Sequence, residues 1–262
     1  MKRPGDATVA ILCGRRPTPV ARALASLAAG TLLPAEVLLV DTQADGLRGV
    51  DPGAFPRLKL RVLPFAQGGY AEARNAAMEA VATPFAAFLD DDCEADARWL
   101  ECLRAALDEA EAVGGATLPA RRPPPTTDFS PEWNAFVGLS APGFWSDRAG
   151  RGELPQTANL ALRVDLWRRI PFPVIEGAFS GEEESDRRLG REDVEWWRAV
   201  RRAGAATRVE HRAIAWHDID AARHEEAAVL ARAAADGQTR WDRARDASEL
   251  PRAAADIAAA PR

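Results

Sequence analysis

Three consecutive carboxylates, Asp90, Asp91 and Asp92, close the segment F-A-A-F-L-D-D-D that begins at Phe85. At about 4 Å two like charges repel by roughly 1 kcal/mol in bulk water and by several times that near a protein surface. A divalent cation among them removes that penalty. Mg²⁺ or Mn²⁺ suits this donor set, because hard cations take oxygen ligands and share them with substrate phosphates. The competing reading is a solvated turn, with Asp92 or Asp96 starting the helix predicted over Ala97 to Glu109. Position favours the cation. The apolar run Phe85 to Leu89 reads as a buried strand, and ligands of open α/β sheets bind beyond the carboxyl ends of their strands.

Apolar runs and helical patterns alternate around this motif in the order expected of a sheet with crossover helices. Strands are predicted at Thr8 to Cys13, Glu36 to Asp41, Lys59 to Pro64, Phe85 to Leu89 and Ala112 to Thr117. Helices are predicted at Pro19 to Ala29, at Tyr70 to Val81, whose alanines make it small-sided, and at Ala97 to Glu109. From Pro119 to Pro155 the chain is too rich in proline for regular structure. Its Trp133, Phe136, Phe144 and Trp145 either line a binding surface or pin the loop to the core. Order resumes with Ala158 to Arg163, a helix over Val164 to Arg169, and a helix from Asp193 to Ala203 that Gly204 terminates. Two short strands, Thr207 to Glu210 and Ala213 to Trp216, follow. Beyond Asp218 the chain reads as one or two peripheral helices with a frayed end.

This order implies an α/β fold with a mixed central sheet flanked by helices. One domain over residues 1–220 divides into a nucleotide-binding half (1–117) and a second half (118–220), with residues 221–262 as a helical tail. With 262 residues, 47% of them hydrophobic, the chain buries a full core. A net charge of −5 gives no global attraction to nucleic acid or to an anionic membrane. No apolar run reaches the roughly 18 residues of a transmembrane helix. Three cysteines, Cys13, Cys93 and Cys102, lack C-x-x-C spacing, so neither a disulfide framework nor a zinc knuckle is indicated and a reducing, cytoplasmic setting is the default. Cys93 directly follows the acidic triplet, as a soft ligand, an oxidation-sensitive thiol or small-residue filler.

The landmarks, taken in sequence order, resemble the GT-A glycosyltransferases of family 2. They are T-V-A-I-L-C-G and E-V-L-L-V-D, then G-G-Y-A-E-A-R-N-A-A (Gly68 to Ala77), F-L-D-D-D, A-N-L-A-L-R, R-E-D-V-E-W-W (Arg191 to Trp197) and A-W-H (Ala215 to His217). The resemblance runs from about Thr8 to His217 and implies a Rossmann-like GT-A fold with a mixed central sheet, a nucleotide-sugar-binding half (1–117), an acceptor-binding half (118–220), and transfer of a sugar from a nucleotide diphosphate. On that basis Asp41 accepts a hydrogen bond from the imino N–H of uracil or guanine. Arg74 contacts base or phosphate, and Cys13 and Gly14 line the nucleotide pocket. Asp90 meets the ribose, Asp92 the metal, and Asp91 either shares that work or buttresses the loop. His217 is the second protein ligand, an imidazole suiting Mn²⁺ better than Mg²⁺. Asp193 is the general base of an inverting transfer, with Glu192 in reserve.

Each role has a structural alternative. Asp41 could cap a turn, Arg74 could be a solvated helix arginine, His217 could be purely structural, and Asp193 could be a helix N-cap. Glu182 to Glu184 and Asp186 read as a solvated acidic loop near the acceptor. C-G-R-R-P and D-T-Q depart from the family's usual P-x-Y-N and D-D-G-S, which leaves UDP- and GDP-sugars both open. No Q-x-x-R-W motif is present, so a single sugar moves to a small molecule, glycan or lipid-linked acceptor, in the cytoplasm or at the membrane periphery. Gly14 stands alone after the first strand, against an NAD-dependent dehydrogenase. The glycine-rich loop of a sugar nucleotidyltransferase is also missing. A non-catalytic nucleotide- or glycan-binding protein of this fold remains the alternative.

Overall fold

A computed structural model describes residues 5–14, 17–42, 47, 50–65, 68–120, 137–140, 156–174, 192–219, 222, 225–231 and 233–234. The strands are β1 (Ala7–Cys13), β2 (Glu36–Asp41), β3 (Leu60–Pro64), β4 (Phe85–Leu89), β5 (Cys93–Ala95), β6 (Ala112–Pro119), β7 (Asn159–Arg163) and β8 (Thr207–His217). The helices are α1 (Pro17–Ala29), α2 (Tyr70–Ala80), α3 (Trp99–Ala106), α4 (Val164–Arg169) and α5 (Glu192–Arg202). One mixed sheet of order β3-β2-β1-β4-β7-β6-β8-β5 contains all eight strands. Only β7 and β5 run antiparallel to their neighbours, so β1, β2, β4, β6 and β8 all end at the same edge.

Alternation along the central strands explains the layers. Val9, Ile11, Val37, Leu39, Ala87 and Leu89 face α1 and α3, where Leu24, Trp99 and Leu103 cover them. Ala10, Leu38, Val40, Ala86 and Phe88 face the other way, under Met78 of α2, Leu166 of α4 and Trp196 and Trp197 of α5. Both faces are buried, which is why these strands read as unbroken apolar runs. Each fully buried large side chain contributes about 1.5–3 kcal/mol. Gly204, at φ 72°, ends α5: its N–H donates to the Arg201 carbonyl and that of Ala205 to the Val200 carbonyl.

The sheet cannot be flat. β5 follows β4 after only Asp90 to Asp92, yet β7, β6 and β8 lie between them in the sheet. Four strand spacings span ~19 Å, whereas the chain from Leu89 to Cys93 reaches at most ~14 Å. The sheet therefore curls, and the curl carries the end of β8 back over the end of β4.

Two elements differ from the sequence expectations. The helix predicted over Ala97 to Glu109 is only Trp99–Ala106, because Cys93–Ala95 forms β5 and the Trp99 N–H closes a turn onto the Asp96 carbonyl at 2.9 Å. The aspartate triplet is thus not that helix's cap. The two strands expected near the end are the single β8, whose register against β6 jumps between Gly115 and Ala116, from Glu210 to Ile214. Such a bulge bends a strand and increases its twist. Asn159, fully buried, fills it: Nδ2 donates to the Ala116 and Ala213 carbonyls at 2.8 and 2.9 Å, and Oδ1 accepts from Trp99 Nε1 at 2.8 Å. A Cβ on Gly115 would stand 2.3 Å from the Ala213 oxygen, so this approach needs glycine. Of the tail, residues 226–231 are helical, and Val229 packs on Val137 and Leu139. Residues 121–136 and 141–155 of the proline-rich segment, including Trp133, Phe136, Phe144 and Trp145, and the acidic run Glu182 to Asp186 lie outside the described residues.

Glu210 borders the bulge and pairs with Arg212 Nε and Nη2 at 2.8 and 2.9 Å. These bonds hold its carboxyl down to about 2, below the ordinary 4.5. A lowered folded-state pKa stabilises above the unfolded value, and that stability is lost as pH falls through the folded value. Glu210→Gln is therefore expected to be less stable than the parent at pH 7, with the two stability curves converging between about pH 4.5 and pH 2 in urea unfolding. A constant difference down to pH 2 would contradict the pairing.

Candidate active site

The sheet's carboxyl edge places the charged groups together. Asp41 ends β2 opposite Cys13 of β1, and its charge helps to raise the Cys13 thiol, although burial is the larger cause. Asp91 turns towards the end of β1, where Oδ2 accepts the Gly14 N–H at 2.9 Å. Of the two roles expected for Asp91, buttressing the loop is the one with a visible partner. Asp90 has its pKa raised by burial first and then by Asp92 and Asp193, while Arg74 and His217 pull it down. Those four groups, from three further elements and the same turn, therefore surround Asp90.

The opposite wall comes from β8. Cys93 and His217 are cross-strand partners at the start of β5 and the end of β8. His217 is buried, with Nε2 3.2 Å from Asp92 Oδ1 and Nδ1 3.1 Å from the Gly138 carbonyl oxygen. A carbonyl only accepts, so in the neutral ring the proton belongs on Nδ1 and the Nε2 lone pair faces the carboxylate. Burial lowers the His217 pKa, but the bond to Asp92 and the charges of Asp92 and Asp90 outweigh it and the net shift is upward. Gly138 sits at φ 79°, and a Cβ there would stand 2.9 Å from His217 Cε1. Nothing in F-V-G-L announced that contact. Around the pair, the Asp218 N–H donates to the Asp92 carbonyl at 2.9 Å, and Arg22 of α1 binds Asp218 and, at 3.4 Å, Glu94.

Two facing acceptors at 3.2 Å require a proton or a cation between them. Neighbouring ligands of an octahedral ion with 2.0–2.1 Å bonds stand about 3 Å apart, so the pair fits a hard cation. The histidine's second nitrogen is also anchored on a backbone carbonyl, as in most metal-binding histidines. Asp92, Cys93 and His217 together offer three donor atoms within 4.8 Å of one another. Desolvation, followed by the three aspartates, pushes the Cys93 thiol up, so without a metal it stays protonated.

α5 closes the site. Asp193 lies in its first turn, after Glu192, so it is not the N-cap; its Oδ1 accepts the Val194 N–H at 2.7 Å. Arg74 is 6% exposed and Glu192 7%, and the two form a buried ion pair between α2 and α5, with the Tyr70 ring 5.7 Å from the guanidinium. The solvated-arginine alternative for Arg74 is thereby excluded. Sequence reading assigned Glu192 only as a reserve base, because a pair separated by 118 positions leaves no local pattern.

A family model described as "Glycosyl transferase family 2" matches residues 8–151, more than half of the chain. No curated protein matches. Among solved structures, S. aureus TarS 1-349 aligns with a TM-score of 0.53 and 17% identity over 81% of this chain and 60% of that one. The same fragment in complex with UDP gives 0.53 and 15% identity over 89% of this chain and 69% of the other. A further S. aureus TarS structure gives 0.53 and 16% identity, covering 81% of this chain and 36% of that one. At these identities the likeness is one of fold.

The Arg74–Glu192 pair tests how this wall is built. Removing one partner leaves a buried charge, so Arg74→Leu is expected to cost about 3–5 kcal/mol, while Arg74→Leu with Glu192→Leu recovers most of the loss. Chemical denaturation of the singles and the double decides it; additive losses would mean that the two side chains do not depend on each other.

Proposed function

The chain belongs to glycosyl transferase family 2 and has the GT-A fold, and on that premise we propose that it moves one sugar from a UDP- or GDP-linked donor to an acceptor hydroxyl, with inversion and with Mn²⁺ or Mg²⁺ bound at Asp92 and His217. The observation that carries this reading is the Asp92–His217 pair, 3.2 Å apart where the curl joins two strand ends. Asp41 accepts the imino N–H of the base beside Cys13 and Gly14, and Asp90 hydrogen-bonds the ribose. Asp91 keeps the Gly14 backbone in place while the nucleotide enters. The UDP bound to the TarS fragment supports a uridine nucleotide as the first to test.

Asp92 and His217 would hold the cation, which when bound would offset the charge that develops on the leaving diphosphate. The acceptor oxygen attacks the anomeric carbon from the opposite face and gives its proton to Asp193, a step worth ~10² to 10⁴ in rate. The place of Asp193 in the first turn of α5 suits a negative charge, which the helix dipole favours there. Glu192 is held in its ion pair with Arg74, and the base role goes to its neighbour Asp193. The acceptor is a small molecule, a glycan or a lipid-linked sugar. Among the described residues no helix is long and apolar enough to cross a membrane.

Thermal shift with UDP, GDP and ADP, each with Mn²⁺, Mg²⁺ or chelator, is the test. One of UDP or GDP is expected to stabilise the protein only when metal is present, and Asp92→Ala or His217→Ala to remove that effect. Asp193→Asn is expected to keep donor binding and to lose ~10² to 10⁴ in transfer or donor hydrolysis. If no diphosphate stabilises the chain, the donor site is not there. If Asp193→Asn retains full turnover, the base is elsewhere.

A further inference from the structure

Cys93 is the one donor of the three-atom cluster that a hard-cation site does not need. It is fully buried, and the β5–β8 ladder fixes it opposite His217, while its peptide adjoins Asp92. Neither of the other two cysteines belongs to this cluster: Cys13 ends β1 and Cys102 lies within α3. Asp92, Cys93 and His217 present one carboxylate oxygen, one sulfur and one imidazole nitrogen within 4.8 Å of one another. Carboxylate, thiolate and imidazole are the ligands of four-coordinate zinc-type centres. We propose that this cluster is also a site for thiophilic divalent cations of the zinc and cadmium class, with Cys93 as the third ligand.

The inference deepens the preceding reading and rests on the same Asp92 and His217. Two protein ligands on an octahedral Mn²⁺ or Mg²⁺ leave several positions for phosphate oxygens and water. Three protein ligands on a tetrahedral ion leave one. A thiophilic ion drawn onto Cys93 therefore lacks the positions needed to chelate both phosphates of a nucleotide. Ligation requires the thiol to shed its proton, which passes to the buffer as the sulfur–metal bond forms. The metal keeps its oxidation state throughout. Zinc-class ions thus compete with the hard cation for Asp92 and His217 and block metal-dependent nucleotide binding.

Titration of the intact protein with Cd²⁺ tests this without any substrate. The ultraviolet thiolate-to-cadmium charge-transfer band is expected to saturate at one equivalent, to persist in Cys102→Ser, and to vanish in Cys93→Ala and Cys93→Ser. Cd²⁺ affinity should fall by about 100-fold or more in both Cys93 variants. Circular dichroism establishes that each variant is folded, and the parent's band alone keeps the proposal falsifiable if one is not. No band in the parent, or a band that survives Cys93→Ala, overturns the proposal. A parallel Mn²⁺ titration by electron paramagnetic resonance separates the two readings. Mn²⁺ binding without a Cd²⁺ band leaves the hard-cation site standing and this inference overturned. A Cys93-dependent band without Mn²⁺ binding supports this inference and removes the hard-cation reading.

Discussion

Three residues join the centre of the sheet to its far edge, and the rest of the structure follows from how little length they provide. Asp90, Asp91 and Asp92 span from β4 to β5 while three strands intervene in the hydrogen-bonded order. Only a strongly curled sheet closes that distance, and curling needs local devices. The bulge at Gly115/Ala116 supplies one, stabilised by Asn159 and by the absence of a side chain at Gly115. Curvature concentrated at a bulge costs backbone pairing, and the buried amide replaces what is lost. The outcome is that the β8 terminus and its histidine stand against a carboxylate separated from them by more than a hundred residues.

Charge explains why this arrangement is a site and not merely a corner. Asp90, Asp91, Asp92 and Asp193 converge at a partly buried sheet edge, where like charges repel more than in water. Each is given a counterweight. The Gly14 N–H meets Asp91, the Val194 N–H meets Asp193, His217 meets Asp92, and Arg74 acts on Asp90 from within its own ion pair with Glu192. The excess of carboxylates leaves negative charge there, which the divalent ion of the proposed function would offset. The Arg74–Glu192 pair also ties α2 to α5. Buried pairs seldom add much stability over an apolar substitute. Their geometry is directional, and here it fixes the first turn of α5, on which Asp193 lies.

Strand positions were legible because both faces of the sheet are covered, so β1, β2 and β4 appear as short apolar runs with bounds within a residue or two of those observed. Helix α5 was legible from the spacing of Trp197 and Val200 and from Gly204. The acidic triplet and His217 were legible as chemistry by their types. β5 was not, because a three-residue strand carries no period. The single β8 was read as two strands because the bulge breaks the period-two alternation at the polar His211 and Arg212.

The sequence by itself determined the layers, the order of most elements and the set of ionisable residues at strand and helix ends. Those properties are written in periods of two and 3.6 residues, which a window of ten to fifteen positions contains. Tertiary structure decided which of these residues meet. The pairing of Glu192 with Arg74, the bond of the Gly138 carbonyl to His217 and the grouping of Cys93 with Asp92 and His217 arise from sheet curl and helix docking. Such contacts join positions far apart in the chain, and no local pattern encodes them.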